Sequence, residues 1–238
     1  MNARRFALAL ILVSACDGAE TGNGASLNMR ATQSGSGLTP TAEALLARDA
    51  SGASMTLSSA TLGVSRVDFD KPGAATCPTA TGALMVHCDS AKIRIESAVS
   101  VDLLTGVSTP SFEDLVIPAG TYKKIEVRFD MLVASGTIDY RGTVTPYDLR
   151  LTINEDAKFE SAGGVVVGTD PSDQVLMLLD VTQWFSSLPL TECLDDGDLT
   201  VENGRIAIAN RGMKCSMVEK ALKDAIKASS KLAKGKKD

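Results

Sequence analysis

The chain is poor in the side chains on which most catalytic sites depend. His87 is its only histidine, Trp184 is its only tryptophan, and aromatic residues make up 4% of its 238 residues. One histidine excludes an HExxH zinc site, and no GxSxG nucleophile motif is present. The pattern Gly22-Asn23-Gly24 fails as a dinucleotide motif because Leu27 occupies the position of the third glycine. The sequence therefore predicts no cofactor and no enzyme of these classes.

Excess positive charge is also lacking. The chain has 24 basic and 29 acidic side chains and a formal net charge of −5. An acidic body is repelled by phosphate backbones, so nucleic acid is not expected as a partner.

The first sixteen residues have the form of a bacterial lipoprotein signal. Arg4 and Arg5 precede the apolar run 6–13, which is too short to cross a bilayer. Small residues then lead to Cys16, whose thiol would receive a diacylglycerol before cleavage. We therefore expect residues 1–15 to be a removed signal peptide and Cys16 to anchor the protein in the bacterial envelope, facing the periplasm or the surface. The alternative is an ordinary secretory signal with a coincidental cysteine.

Four cysteines remain once Cys16 is assigned to lipid. An even number favours disulfides in an oxidising compartment, with three possible connectivities. The simplest pairs neighbours, Cys77 with Cys88 and Cys193 with Cys215. The alternative for the first pair is a metal site made from Cys77, His87 and Cys88.

The segment 16–53 is rich in Gly, Ser, Thr, Ala and Asn and shows no sustained apolar period. This composition is typical of a flexible tether. We therefore predict one folded domain over residues 54–215, followed by a terminal helical segment over residues 216–238.

Alternation of apolar and polar residues dominates the predicted domain, as in the runs 93–103, 125–131 and 149–153. Period two is typical of strands with one face in a core. The run 175–181 is apolar almost throughout, which indicates a central strand, and a slip of the apolar phase near Gly63 indicates a β-bulge. Together with the turn signals between the runs, the pattern predicts a mainly β fold, an antiparallel β-sandwich.

Two motifs resemble the core signature of an uncharacterised family of exported bacterial lipoprotein domains. They are Val-Asp-Leu-Leu-Thr-Gly at 101–106 and Ile-Pro-Ala-Gly-Thr-Tyr at 117–122, and the apolar strand that ends at Asp180 is also similar. The family has no assigned activity, and the resemblance implies a sandwich of immunoglobulin or transthyretin type. The two cysteine pairs and the lysine-rich end depart from the family pattern.

The residues of the second motif also predict the local structure around Tyr122. Pro118 and Gly120 shape a turn that brings Tyr122 into the next strand. We expect the ring of Tyr122 to lie in the core and its hydroxyl to bond to backbone, as in corner motifs of sandwiches.

Acidic clusters supply candidate calcium ligands. The first consists of Asp195, Asp196, Asp198 and Glu202, and Asp170 and Asp173 form a smaller one. Carboxylate oxygens suit calcium, but neither cluster has the spacing of a known calcium loop. A solvated turn is the alternative for the first cluster.

Apolar residues recur at helical spacing near the end of the chain and predict an amphipathic helix over about 217–233, with Ser216 and Glu219 as a capping box. The polar face carries the lysines Lys220, Lys223, Lys227 and Lys231. We expect this face to be solvated; contact with anionic lipid or an envelope polymer is the alternative.

These features predict a membrane-tethered envelope lipoprotein, held through the acyl chains on Cys16, that is a non-enzymatic binding or structural module. Its expected partner is an envelope polymer or an envelope protein. The alternative is a hydrolase of an extracellular polymer that uses two carboxylates, which the sequence does not identify.

Overall fold

The computed structural model describes residues 24–33, 44–70, 73, 77–78 and 82–236. The strands are β1 (Gly24–Thr32), β2 (Leu45–Arg48), β3 (Ser54–Asp70), β4 (Val86–Cys88), β5 (Lys92–Ile95), β6 (Val99–Asp102), β7 (Ser108–Thr109), β8 (Ile117–Pro118), β9 (Gly120–Tyr140), β10 (Thr143–Val167), β11 (Asp173–Asp180), β12 (Val201–Glu202), β13 (Arg205–Ile208) and β14 (Ser230–Lys236). The helices are α1 (Thr182–Phe185), α2 (Leu190–Asp195) and α3 (Val218–Ala228), with one 3-10 turn at Phe112–Asp114. The described chain is thus mainly β, as the sequence predicted.

The larger of the two sheets that the described residues form is built around three long strands. Its order is β12-β13-β10-β9-β3-β5-β4. One edge of β3 pairs with β9 along its length, and the other edge pairs in turn with β2, β6 and β5, while β7 adds to β6. The β9–β10 hairpin turns at Arg141 and Gly142, whose φ angles of 52° and 78° suit a type I′ turn.

The smaller sheet has the order β14-β11-β1-β8. Every residue of β11 is buried, which confirms the prediction of a central strand over the run 175–181. The expectation of a purely antiparallel fold is wrong, however, because β1 pairs with β11 in parallel, as does β10 with β13.

The apolar faces of both sheets contribute to a single hydrophobic core. The predicted bulge is confirmed, because the register of β3 against β9 shifts between Leu62 and Val64. Tyr122 is 1% exposed, and its hydroxyl donates to the carbonyl oxygen of Pro118 at 2.6 Å, as predicted for a corner tyrosine. Burial raises the pKa of Tyr122 above its ordinary value, so the hydroxyl keeps its proton.

The prediction of a tether over the whole of 16–53 is wrong. Strand β1 lies inside the smaller sheet with Leu27 and Met29 fully buried, and β2 pairs with β3. The small and polar residues of this segment resemble a linker in composition, but in β1 they alternate with Ala25, Leu27, Met29 and Ala31, which lie in the core. The folded body therefore begins before residue 54.

The prediction of one terminal helix over about 217–233 is also wrong, because α3 ends at Ala228 and β14 follows it. The Ser229 hydroxyl donates to the carbonyl oxygen of Ile226 at 2.7 Å and accepts from Trp184 Nε1 at 3.0 Å. A serine bonded in this way competes with the helix and fixes its end against the core. Ser216 does not cap α3; instead Asn210 Oδ1 accepts from the Glu219 amide at 2.9 Å.

Candidate functional site

The predicted lipidation site, Cys16, lies outside the described residues. The four other cysteines form two disulfides, Cys77 with Cys88 and Cys193 with Cys215, with Cα atoms 5.9 Å and 5.8 Å apart. This is the neighbour pairing that the sequence predicted. Because Cys77 and Cys88 are bonded to each other, neither can supply a thiolate to the alternative metal site. His87 Nε2 lies 4.0 Å from Glu96 Oε2.

The candidate calcium cluster is not assembled, because each of its four carboxylates is engaged by protein groups instead. Asp195 bonds to Tyr140 and Arg141, and Asp196 pairs with Lys214 at 2.7 Å.

The other two carboxylates of this cluster are equally engaged. Asp198 Oδ2 accepts the Lys214 amide at 2.7 Å, and Glu202 pairs with Arg211 at 3.3 Å. In the part of the chain that the structure describes, no three His, Cys, Asp or Glu side chains are placed to hold a metal ion. The calcium prediction is therefore wrong for these residues.

The smaller acidic group is neutralised by lysines rather than by a metal. Asp173 is 2% exposed and pairs with Lys234 and Lys236, each at 2.7 Å, and Asp170 pairs with Lys236 at 2.5 Å. The bond from Lys236, together with those from Ser172, lowers the pKa of Asp170 to about 2. Lys234, then Lys236 and the Gly168 amide, lower the pKa of Asp173 further. These ion pairs fasten β14 to the start of β11.

The four lysines of the predicted surface are not on one helical face. Lys231 lies in β14, whereas the others lie in α3. Lys220 pairs with Asp224 at 2.6 Å, and Lys227 pairs with Glu155 and with Asp224. A single basic stripe is therefore a wrong description of this surface.

A concave site formed by described residues lies beside β2, and we call it the β2 groove. Its volume is about 460 Å³. It is lined by Gln33, residues 46–49, Ser54, Met55, Thr182 and Ser186. Ligand pockets in proteins have volumes of about 300–1,000 Å³, so the β2 groove is of ligand size.

The walls of the β2 groove combine apolar surface with one positive charge. Leu46, Ala47 and Met55 supply the apolar part, and Leu46 is 54% exposed at the rim. Arg48 donates to the Gly52 carbonyl oxygen at 2.8 Å, and it forms no ion pair with a carboxylate of the described residues. Arg48 therefore leaves most of its hydrogen-bond donors available.

The second charged residue of the β2 groove, Asp49, has a structural role. It is 4% exposed and accepts hydrogen bonds from Ser51, Ala53 and Thr191. Burial raises the pKa of Asp49, but the bonds from Thr191, Ser51 and Ala53 outweigh burial and lower the pKa below its ordinary value. Asp49 thus stays ionised and engaged, and Arg48 remains the cation that a ligand could meet.

Sequence reasoning missed the β2 groove because its wall was assigned to the tether. The four residues of β2 are too few to show a period, and the contact between β2 and α1 joins residues far apart in sequence.

Comparisons with known proteins found no match among family models, curated proteins or solved structures. The resemblance of the two motifs to exported lipoprotein domains stays a prediction. Of the helices in the described ranges, none has the length and apolar character needed to span a bilayer.

Proposed function

We propose that this protein is a lipid-anchored component of the bacterial cell envelope whose β-sandwich, of immunoglobulin or transthyretin type, binds a ligand without converting it. The form of the sequence up to Cys16 supports the anchor. Two disulfides support an oxidising compartment, and two sheets around one core support the sandwich.

The observation that carries the proposal is the pairing of apolar walls with Arg48 in the β2 groove. Apolar walls gain free energy by removing apolar ligand surface from water. A guanidinium with unused donors binds carboxylates through charge-assisted hydrogen bonds. The ligand that matches both is a long-chain carboxylate, with its chain against Leu46 and Met55 and its head group on Arg48.

Photoaffinity labelling of the full-length protein in its membrane tests this proposal. The probe is a fatty acid with a diazirine in its chain, and its methyl ester is the uncharged comparison. We expect labelled peptides to contain residues 46–49 or Met55, and unlabelled fatty acid to compete. The Arg48→Gln variant should lose the preference for the acid, about tenfold if one charge-assisted bond is lost.

Arg150→Gln is the matched control, because Arg150 is also exposed and lies on β10, away from the β2 groove. It should label as the native protein does. Labelling that is spread over the sheet faces, or that is equal for acid and ester in the native protein, would contradict the proposed ligand class.

A further inference from the structure

A second cavity, smaller and more polar, lies beside β1, and we call it the edge cavity. It is lined by Leu27, Asn28, residues 105–108, Ser111 and Glu113, and its volume is about 200 Å³. A water molecule takes about 30 Å³ in the liquid, so the edge cavity has room for about six waters or one small polyol.

The first motif of the sequence builds one wall of the edge cavity. Asp102 Oδ1 accepts the Leu104 amide at 2.9 Å, and the Gly106 amide donates to the Asp102 carbonyl oxygen at 2.8 Å. Gly106 has a φ of 77° and lies against Asn28, whose Nδ2 donates to the Gly106 carbonyl oxygen at 3.3 Å. A side chain at residue 106 would be strained and would collide with Asn28, so this wall is fixed.

The opposite wall is the backbone edge of β1. This edge pairs with β8 at Gly24 and Ala25, and the Ala31 amide donates to the Leu103 carbonyl oxygen at 2.7 Å. Between these two points Leu27 borders the edge cavity. Because alternate residues of a strand direct their backbone groups to the same edge, the amide and carbonyl of Leu27 lie on the edge of β1 that Ala25 and Ala31 share.

Three hydroxyl groups around the edge cavity are held by backbone amides. Thr105 Oγ1 accepts from Val107 at 3.3 Å, Ser108 Oγ accepts from Phe112 at 2.8 Å, and Ser111 Oγ accepts from Glu113 at 3.1 Å. Each hydroxyl oxygen is thereby fixed while its own proton remains for donation. No described acceptor takes any of these three protons.

Charge selects among possible ligands. The lining contains no lysine, arginine or histidine, so an anion would find no cationic partner there. One carboxylate is too few for a calcium site, which needs six to eight oxygens. A ligand that both accepts from fixed hydroxyls and donates to a carboxylate or a backbone carbonyl is a neutral polyhydroxyl compound.

We propose that the edge cavity is a binding site for a sugar residue or another small neutral polyol. The hydroxyls of Thr105, Ser108 and Ser111 donate to ligand oxygens, Glu113 accepts from ligand hydroxyls, and Val107, 65% exposed, packs on the apolar face of the ligand. This site is separate from the β2 groove in residues and in ligand chemistry, so either can fail without the other.

Saturation-transfer difference NMR on the full-length protein tests the site, with D-glucose and glycerol as probes. We expect transfer to glucose ring protons and a dissociation constant in the millimolar range. Thr105→Val and Glu113→Gln should each weaken glucose binding about fivefold, the loss of one hydrogen bond. Val107→Trp, which fills the entrance, should abolish binding.

Two controls are matched to these variants. Glu160→Gln removes an exposed carboxylate on β10, and Val166→Ala alters a valine that is 61% exposed. Both should bind glucose as the native protein does. Inorganic phosphate and calcium chloride are the competing probes. The proposal is overturned by absence of transfer to either polyol, by displacement of glucose by phosphate, or by binding that survives all three cavity variants.

Discussion

Replacing Asp49 tests how the N-terminal part of the described chain is fastened to the rest. Asp49 follows β2. It accepts hydrogen bonds from the Thr191 amide at 2.9 Å and from the Thr191 hydroxyl at 2.7 Å, and Thr191 lies in the first turn of α2. It also accepts from the Ala53 amide at 2.8 Å and the Ser51 amide at 3.0 Å, which close the turn before β3. One carboxylate therefore joins two segments that are 142 residues apart.

The size of the effect follows from which donors lose their partner. Ser51 is exposed, so water replaces the carboxylate there, whereas Ala53 and Thr191 are half-buried. A donor left unsatisfied away from water costs about 1–3 kcal/mol. We therefore expect Asp49→Ala to lower the free energy of unfolding by about 2–4 kcal/mol. Asp49→Asn keeps one acceptor oxygen but places a side-chain NH2 group against a hydrogen-bond donor. Its loss in free energy of unfolding should be about half that of Asp49→Ala.

Urea unfolding of both variants, followed by circular dichroism, measures these losses. The pKa of folded Asp49 is below its ordinary value of 3.8, so its contribution is complete above that pH and is lost as the pH falls through the folded pKa. The difference in free energy of unfolding between the native protein and the Asp49→Asn variant should therefore become smaller below about pH 4.

Asp89→Ala is the control, because Asp89 accepts two amides in an exposed turn, from Ala91 and Lys92, and joins no distant segment. It should cost clearly less than Asp49→Ala. Equal stability of Asp49→Ala and native protein would refute the reasoning, as would a gap that does not change with pH.

Two further predictions concern the anchor and the helix α3. Cys16→Ser should abolish incorporation of labelled fatty acid, because acylation needs the thiol, and continued labelling would remove the basis for the anchor. Leu222→Asp should lower the free energy of unfolding by at least about 2 kcal/mol, because Leu222 is fully buried and an aspartate there would have no partner. Lys227→Gln should change it by less than about 1 kcal/mol, since it removes only partly exposed ion pairs, with Glu155 and Asp224. The reverse order of the two effects would mean that α3 is held by charge rather than by packing.

The sequence predicted those strands whose two faces differ in environment. In β9 the buried Ile125, Val127 and Phe129 alternate with charged residues that face solvent, and the period is visible without any structure. The motif at Tyr122 was predictable for a similar reason, because a turn of proline and glycine fixes local geometry within a few residues.

Strands β1 and β14 were missed because their pairing is not local. Alternation of Ala25, Leu27, Met29 and Ala31 was present, but small and polar neighbours gave the segment the composition of a linker. In β14 only Leu232 is buried, and it also fits the helical period of α3. Both segments are strands because they pair with β11, which has β1 on one side and β14 on the other. Such long-range pairing overrides local propensity.

The same long-range pairing explains why neither cavity was predictable. The β2 groove needs β2 beside α1, and the edge cavity needs β1 beside residues 105–113. Each cavity joins a segment assigned to the tether with a segment of the predicted domain. A binding site formed by such a junction leaves no complete motif in the sequence, because no residue in it is close in sequence to all of its partners.

The position of β1 also changes the geometry of the proposed anchor. Seven residues separate Cys16 from Gly24, the first residue of β1, where the predicted tether would have had more than thirty. The eight Cα–Cα steps from Cys16 to Gly24 span at most about 28 Å when fully extended. Acylation of Cys16 would therefore hold the edge at which β1 pairs with β8 close to the lipid head groups. On this geometry the edge cavity, on the same edge of β1, would bind polyols at the membrane surface rather than far into the envelope.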